Sequence, residues 1–95
     1  MNFGIVAGSV VSDTKSESLP AASYLLVQSC DQTGKVKEDY LVAIDDVGAG
    51  AGEMVLISQG SSARQTESTD KKPIDAVIIG IVDLIDEHGK VAYKK

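Results

Sequence analysis

The sequence predicts an all-β domain, a small barrel or sandwich, and three observations carry that expectation. The chain is 95 residues long, enough for one domain and no more. Its apolar fraction of 43% is mainly Val, Ile, Leu and Ala, with one Phe, three Tyr and no Trp. Val and Ile favour strands over helices because their branched Cβ fits a pleated surface. Finally, the apolar runs are short and are separated by glycine-, proline- and aspartate-containing turn signals at the spacing of small β-domains. A domain of this length buries only about 65% of its unfolded surface, so its own core is modest and assembly is a natural supplement.

The elements follow in order. Phe3 to Val11 is β-branched, punctuated by glycine, and reads as the first strand. Ser12 to Ala22 is polar, contains Pro20 and reads as a loop. Tyr24 to Gln28 is the second strand. It ends at Asp31-Gln32-Thr33-Gly34, where Gly34 is free to take a positive φ. Tyr40 to Ile44 is the third strand, and a glycine loop follows at Gly48 to Gly52. Met54 to Ile57 is the fourth. Ser61 or Ser62 is placed to cap a short helix with Ala63 and Arg64 in its first turn. A short helix between strands four and five is a recurring feature of small partly open barrels of the OB type. Gln65 to Lys72 is polar. Ile74 to Ile85 is the longest apolar segment, with Gly80 inside it marking a bend or a close backbone approach. Asp86-Glu87-His88-Gly89 reads as a hairpin turn, returning through Lys90 to Tyr93.

Charge and cysteine count narrow the function. The net charge is −5 and the basic residues are scattered, which disfavours a nucleic-acid partner. Cys30 stands alone, so neither an internal disulfide nor a cysteine zinc cluster can form. Met1-Asn2-Phe3-Gly4 lacks the basic start of a secretory signal, and no apolar run approaches the roughly 18 residues of a membrane helix. No membrane association is expected.

The stretch from Asp45 to Arg64, "DDVGAGAGEMVLISQGSSAR", holds the motifs that invite a chemical reading. The dinucleotide fingerprint G-x-G-x-x-G needs its third glycine where Glu53 stands, and needs a helix where Met54-Val55-Leu56-Ile57 reads as strand. A phosphate-binding Gly-Lys-Ser/Thr is absent. Gly60-Ser61-Ser62-Ala63-Arg64 is one glycine short of a nucleophile elbow, and nothing places the sole histidine, His88, beside Ser62. Asp45 and Asp46 are neighbours on a strand and point to opposite faces, so they make no paired-carboxylate site. Each of these carboxylates, Asp83, Asp86 and Glu87 included, is expected at a solvated strand end, although Glu53 is placed to line an opening. No cofactor, metal or catalytic set is expected. Arg64 is the most informative cation: its guanidinium either lies on the surface or pairs across a subunit boundary.

Taken together, "VGAGAGEMVLISQGSSAR" and "KPIDAVIIGIVD" closely resemble the signatures of the EutN/CcmL family, vertex proteins of bacterial microcompartment shells. The first match runs through Gly48, Ala49, Gly50, Gly52, Glu53, Val55, Leu56, Gly60, Ser61, Ser62, Ala63 and Arg64. The second runs through Pro73, Asp75, Ala76, Ile78, Gly80, Ile81, Val82 and Asp83. A weaker match opens the chain through Val6, Gly8, Val10, Val11 and Lys15. One stretch departs: Pro20-Ala21-Ala22-Ser23-Tyr24 stands where the family has a small residue and a lysine. The resemblance implies a five-stranded OB-like barrel with one short helix and a C-terminal hairpin. It also implies a homopentamer that caps shell vertices among hexameric shell proteins, with no enzymatic activity. On that footing Gly48, Gly50, Gly52 and Glu53 are expected near the five-fold axis or at the subunit boundary. Ser61, Ser62 and Arg64 are expected to contact the next subunit. The competing reading is an OB-fold module for an oligonucleotide or another ligand, which needs stacking aromatics and a basic groove.

Overall fold

The protein is seen as a computed structural model, which describes residues 1–11, 23–59 and 76–95. The expected helix at Ser61 to Arg64 lies outside the described residues, as do Ser12 to Ala22. Seven strands are described: β1 (Asn2–Val10), β2 (Ser23–Cys30), β3 (Val36–Asp45), β4 (Met54–Gln59), β5 (Ala76–Ile81), β6 (Leu84–Glu87) and β7 (Lys90–Lys94). The first five close into a barrel in the order β1-β2-β3-β5-β4, with β4 returning onto β1. All of its pairings are antiparallel except β3 with β5, which meet only at Ile44↔Val77 and Asp45↔Ile78. The last two strands form a separate hairpin.

Alternation along the strands decides what fills the barrel. Val6, Leu25, Val27, Ala43, Val55, Ile57, Ala76 and Ile78 point inward and are buried. Burying a Val or Ile side chain of this kind contributes about 1.5–3 kcal/mol. Gly4 also faces inward, and a Cβ there would overlap Val27 Cγ1 and lie 2.8 Å from Ile57 Cδ1. The absence of a side chain at Gly4 is what lets β1 pass so close to the β2 and β4 side chains.

A second apolar cluster lies outside the barrel, under the hairpin. Cys30, Met54 and Val82 are its buried centre, with Phe3, Ile5, Leu56, Ile85 and Tyr93 packed around them. One backbone bond ties the segment before the hairpin to the barrel, Val82 N–H donating to Met54 C=O at 2.8 Å, and Lys95 N–H closes the hairpin's open end by donating to Asp83 C=O at 2.9 Å. Gln32 Nε2 adds a bond to the Glu87 carboxylate at 2.9 Å. The all-β class and the C-terminal hairpin are therefore as expected.

Two boundaries differ from the sequence reading. The apolar run Ile74 to Ile85 is not one element. Its barrel strand ends at Ile81, and β6 begins at Leu84 after Val82 has turned to bond to Met54. Gly80 sits beside a register shift, Leu56↔Gly80 being followed by Ile57↔Ile78, and it has room for a Cβ, with Leu56 Cδ1 at 3.9 Å. It marks a bend and not a close approach. Strand β3 begins at Val36 and not at Tyr40, because the charged Lys37-Glu38-Asp39 stretch is extended but opposite an irregularity, where Cys30 pairs with Val36 and Gln28 with Tyr40. The Gln28 amide nitrogen fills that irregularity by donating to Lys37 C=O at 2.7 Å.

Candidate functional site

The glycine loop joins the end of β3 to the start of β4, and two carboxylates shape it. Asp45, the last residue of β3, turns its side chain onto the loop. Its Oδ1 accepts from the N–H groups of Val47 at 3.0 Å and Gly48 at 3.1 Å, and Ala49 N–H reaches Oδ2 at 3.1 Å. Glu53 closes the other end, its Oε1 accepting from Gly50 N–H at 2.5 Å while its own N–H donates to Gly50 C=O at 3.1 Å. Gly52 N–H donates to Val6 C=O at 2.8 Å, and Val6 N–H returns to Glu53 C=O at 3.0 Å. The loop is thereby stitched to β1 where the β1–β2 register shifts between Val6 and Gly8.

A phosphate-cradling loop needs backbone N–H groups turned outward and unspent. Here the amides of Val47, Gly48, Ala49, Gly50, Gly52 and Glu53 are all satisfied from within the chain. A bound phosphate would have to displace two carboxylates of its own sign. This removes the physical basis of nucleotide binding at this loop more firmly than the motif mismatch does. Asp45 is accordingly not a solvated strand end but the organiser of the loop. The signal that would have found it is an Asp followed by a glycine-rich turn, the pattern of a side chain mimicking a backbone turn.

Within one subunit Gly48 and Gly52 are required by conformation and not by crowding, whereas a Cβ on Gly50 would lie 3.3 Å from Glu53 Oε1. Gly48 and Gly52 have φ of 75° and 84°, which side chains rarely adopt, yet no heavy atom lies within 4 Å of a Cβ built on either. Glu53 is itself held by Lys95, whose Nζ lies 2.5 Å from Oε2 and 4.0 Å from Asp83 Oδ1. The hydrogen bond from Lys95, followed by that from Gly50 N–H, lowers the Glu53 pKa below the ordinary glutamate value. The same bond to Glu53 raises the Lys95 pKa.

The remaining candidates are dispersed. Ser61, Ser62 and Arg64 lie outside the described residues. His88 sits in the β6–β7 turn at a φ of 55°. Cys30 is buried against Met54 and Val82, and burial, then the nearby Asp31 charge, pushes its thiol pKa up, away from reactivity. Among the described residues no group of three His, Cys, Asp or Glu side chains is placed to hold a metal ion. Phe3 and Tyr93 pack under the hairpin, so neither is available as a stacking platform for bases. The structure brings out a feature that the sequence reading missed. Tyr40 and Val42 on β3, and Leu84 and Val91 on the hairpin, are large apolar side chains about half exposed, at 55%, 48%, 54% and 61%.

Closed barrel, self-bonded glycine loop and apolar surface strips together define a small β-barrel domain. The chain belongs to the EutN/CcmL family: the family model described as "Ethanolamine utilisation protein EutN/carboxysome" matches residues 1–83. It is 44% identical to the carboxysome shell vertex protein CcmL of Gloeobacter violaceus, over 100% of this chain and 95% of that protein. The solved structure of that CcmL superposes with a TM-score of 0.93, covering 100% of this chain and 98% of the other. Identity to the microcompartment shell vertex protein EutN of Salmonella typhimurium is 39%, over 100% of this chain and 96% of the relative. The pentameric microcompartment shell protein GrpN of Rhodospirillum rubrum is 41% identical, with a TM-score of 0.82 over 92% of this chain and 99% of that one.

Proposed function

We propose that five copies of this chain form a closed ring that caps the vertices of a bacterial microcompartment shell in the cytoplasm, docking there against hexameric shell proteins. The observation that carries this reading is similarity along the whole chain to proteins named as shell vertex components, one of them pentameric. The role is structural and needs no chemistry from the chain. A layer of six-fold tiles stays flat, and closing it requires five-fold points. A head-to-tail contact that rotates about 72° per copy closes as a ring of five. The area buried between copies then supplements a core that is small by necessity.

In this reading Gly48, Gly50, Gly52 and Glu53 lie near the five-fold axis or the subunit boundary, and Ser61, Ser62 and Arg64 contact the next copy. The self-bonded loop supports the first placement, since a loop whose amides are already paired can face another backbone without leaving donors unsatisfied. Native mass spectrometry of the purified chain tests the ring: a species of five chain masses is expected, and a monomer at all concentrations refutes it. Co-expression with a hexameric tile protein tests the vertex role, with closed shells expected and only sheets or tubes counting against it. Arg64→Glu and Gly50→Leu are each expected to weaken the ring. Light scattering that shows intact pentamers for either variant removes that residue from the interface.

A further inference from the structure

The geometry points to the two half-exposed apolar strips as the complementary halves of the ring contact, Tyr40 and Val42 of one subunit packing against Leu84 and Val91 of the next. This inference rests on the pentameric reading and deepens it.

Position comes first. The hairpin packs on Phe3 and Ile5 of β1, Cys30 of β2 and Met54 and Leu56 of β4, and it meets the β2–β3 turn at Gln32 and Gly34. In the closed order β1-β2-β3-β5-β4, strand β3 is the one farthest round the barrel from the β1–β4 seam. The β3 strip and the outward face of the hairpin are therefore two different patches of one subunit. A two-fold dimer uses one patch twice, whereas a cyclic ring needs two different patches on each copy. The strips meet that requirement.

Their faces are also suitable. Tyr40 and Val42 are two apart on β3 and project from the same outward face, level with Gln28 and Leu26 of β2. On the hairpin, Leu84 and Asp86 share a face with their partners Lys94 and Val91, while Ile85 and Tyr93 turn under it to the barrel.

Charge is compatible with contact at both strips. The chain carries −5, so five copies repel one another unless the touching surfaces are locally neutral. Around the β3 strip Lys35 and Lys37 balance Glu38 and Asp39. On the hairpin Lys90 and Lys94 balance Asp86 and Glu87. At the open end of the hairpin Asp83 and Lys95 add one further charge of each sign, whereas Asp45, Asp46 and Glu53 lie at the glycine loop.

Cysteine cross-linking tests the pairing cleanly, because Cys30, the sole native cysteine, is buried. With a short bifunctional thiol reagent, the Val42→Cys/Val91→Cys chain is expected to give a ladder ending at five covalently joined chains, and each single variant is expected to stay a monomer band. Cross-linked dimers from either single variant overturn the head-to-tail pairing. Val42→Asp and Val91→Asp, checked for an unchanged circular-dichroism spectrum, are each expected to lower the pentamer fraction at fixed concentration by roughly tenfold or more, since each places an unpaired charge in a desolvated contact. A wild-type pentamer that persists in both variants without a ladder overturns the pairing and leaves the pentamer standing. A wild-type monomer overturns both. Variants that keep the ring but fail to close shells with hexameric tiles reassign the strips to tile docking and overturn the inference.

Discussion

Replacing Asp45 by alanine removes the acceptor for three consecutive loop amides, those of Val47, Gly48 and Ala49. The geometry is that of a capping side chain, for which loss of the acceptor costs roughly 0.5–2 kcal/mol. Three donors and a formal charge place the expectation in the upper half of that range. Val47 and Gly48 are exposed, so water re-satisfies part of what is lost and keeps the cost from reaching the sum of three charged bonds. We expect about 1–2 kcal/mol, measured by urea unfolding at one fixed chain concentration because assembly contributes to apparent stability. Amide exchange should quicken at Val47, Gly48 and Ala49 while the Gly52 amide, bonded to Val6, stays protected. Asp45→Asn retains the Oδ1 acceptor and is expected to restore more than half of the loss. An alanine variant as stable as the parent, with unchanged exchange at the three amides, would refute the view that this carboxylate builds the loop.

Gly4→Ala is expected to destabilise by about 1–3 kcal/mol, since its methyl meets Val27 and Ile57, both fully buried and unable to retreat. Val27→Ala in the same chain should relieve part of that cost in a double-mutant cycle, and strict additivity would count against the clash. Met54→Ala, emptying the centre of the cluster under the hairpin, should cost about 2–5 kcal/mol in the same unfolding assay. The Glu53–Lys95 pair makes the loop sensitive to pH at both extremes. Because the Glu53 pKa is lowered, its contribution is complete above the ordinary glutamate range and is lost as pH falls through the lowered value. Because the Lys95 pKa is raised, its contribution is complete below the ordinary lysine value and is lost as pH climbs through the raised one. The Gly50 amide resonance should therefore hold steady between these limits and move on the acid side, a change that Glu53→Gln should abolish.

The strands were legible because a β-branched run between turn residues has few other stable forms. The hairpin was legible because Asp86-Glu87-His88-Gly89 is a local turn signal. The break after Ile81 was not, since Val82 leaves the ladder only because Met54 C=O, far away in the chain, receives its N–H. Nor was the role of Asp45 legible, since its carboxylate meets the loop amides only once β3 ends at that residue.

By itself the sequence determined the class of fold, the family and the absence of a nucleotide fingerprint, because each is written in residue types and spacings along one line. Only the tertiary structure decided that the loop amides are spent on the chain itself, that Gly4 is where the barrel has no room, and that β3 and the hairpin each leave an apolar strip half exposed. Those facts depend on which strands become neighbours when the barrel closes. Closure brings together residues such as Val6 and Gly52, or Met54 and Val82, that no local pattern relates.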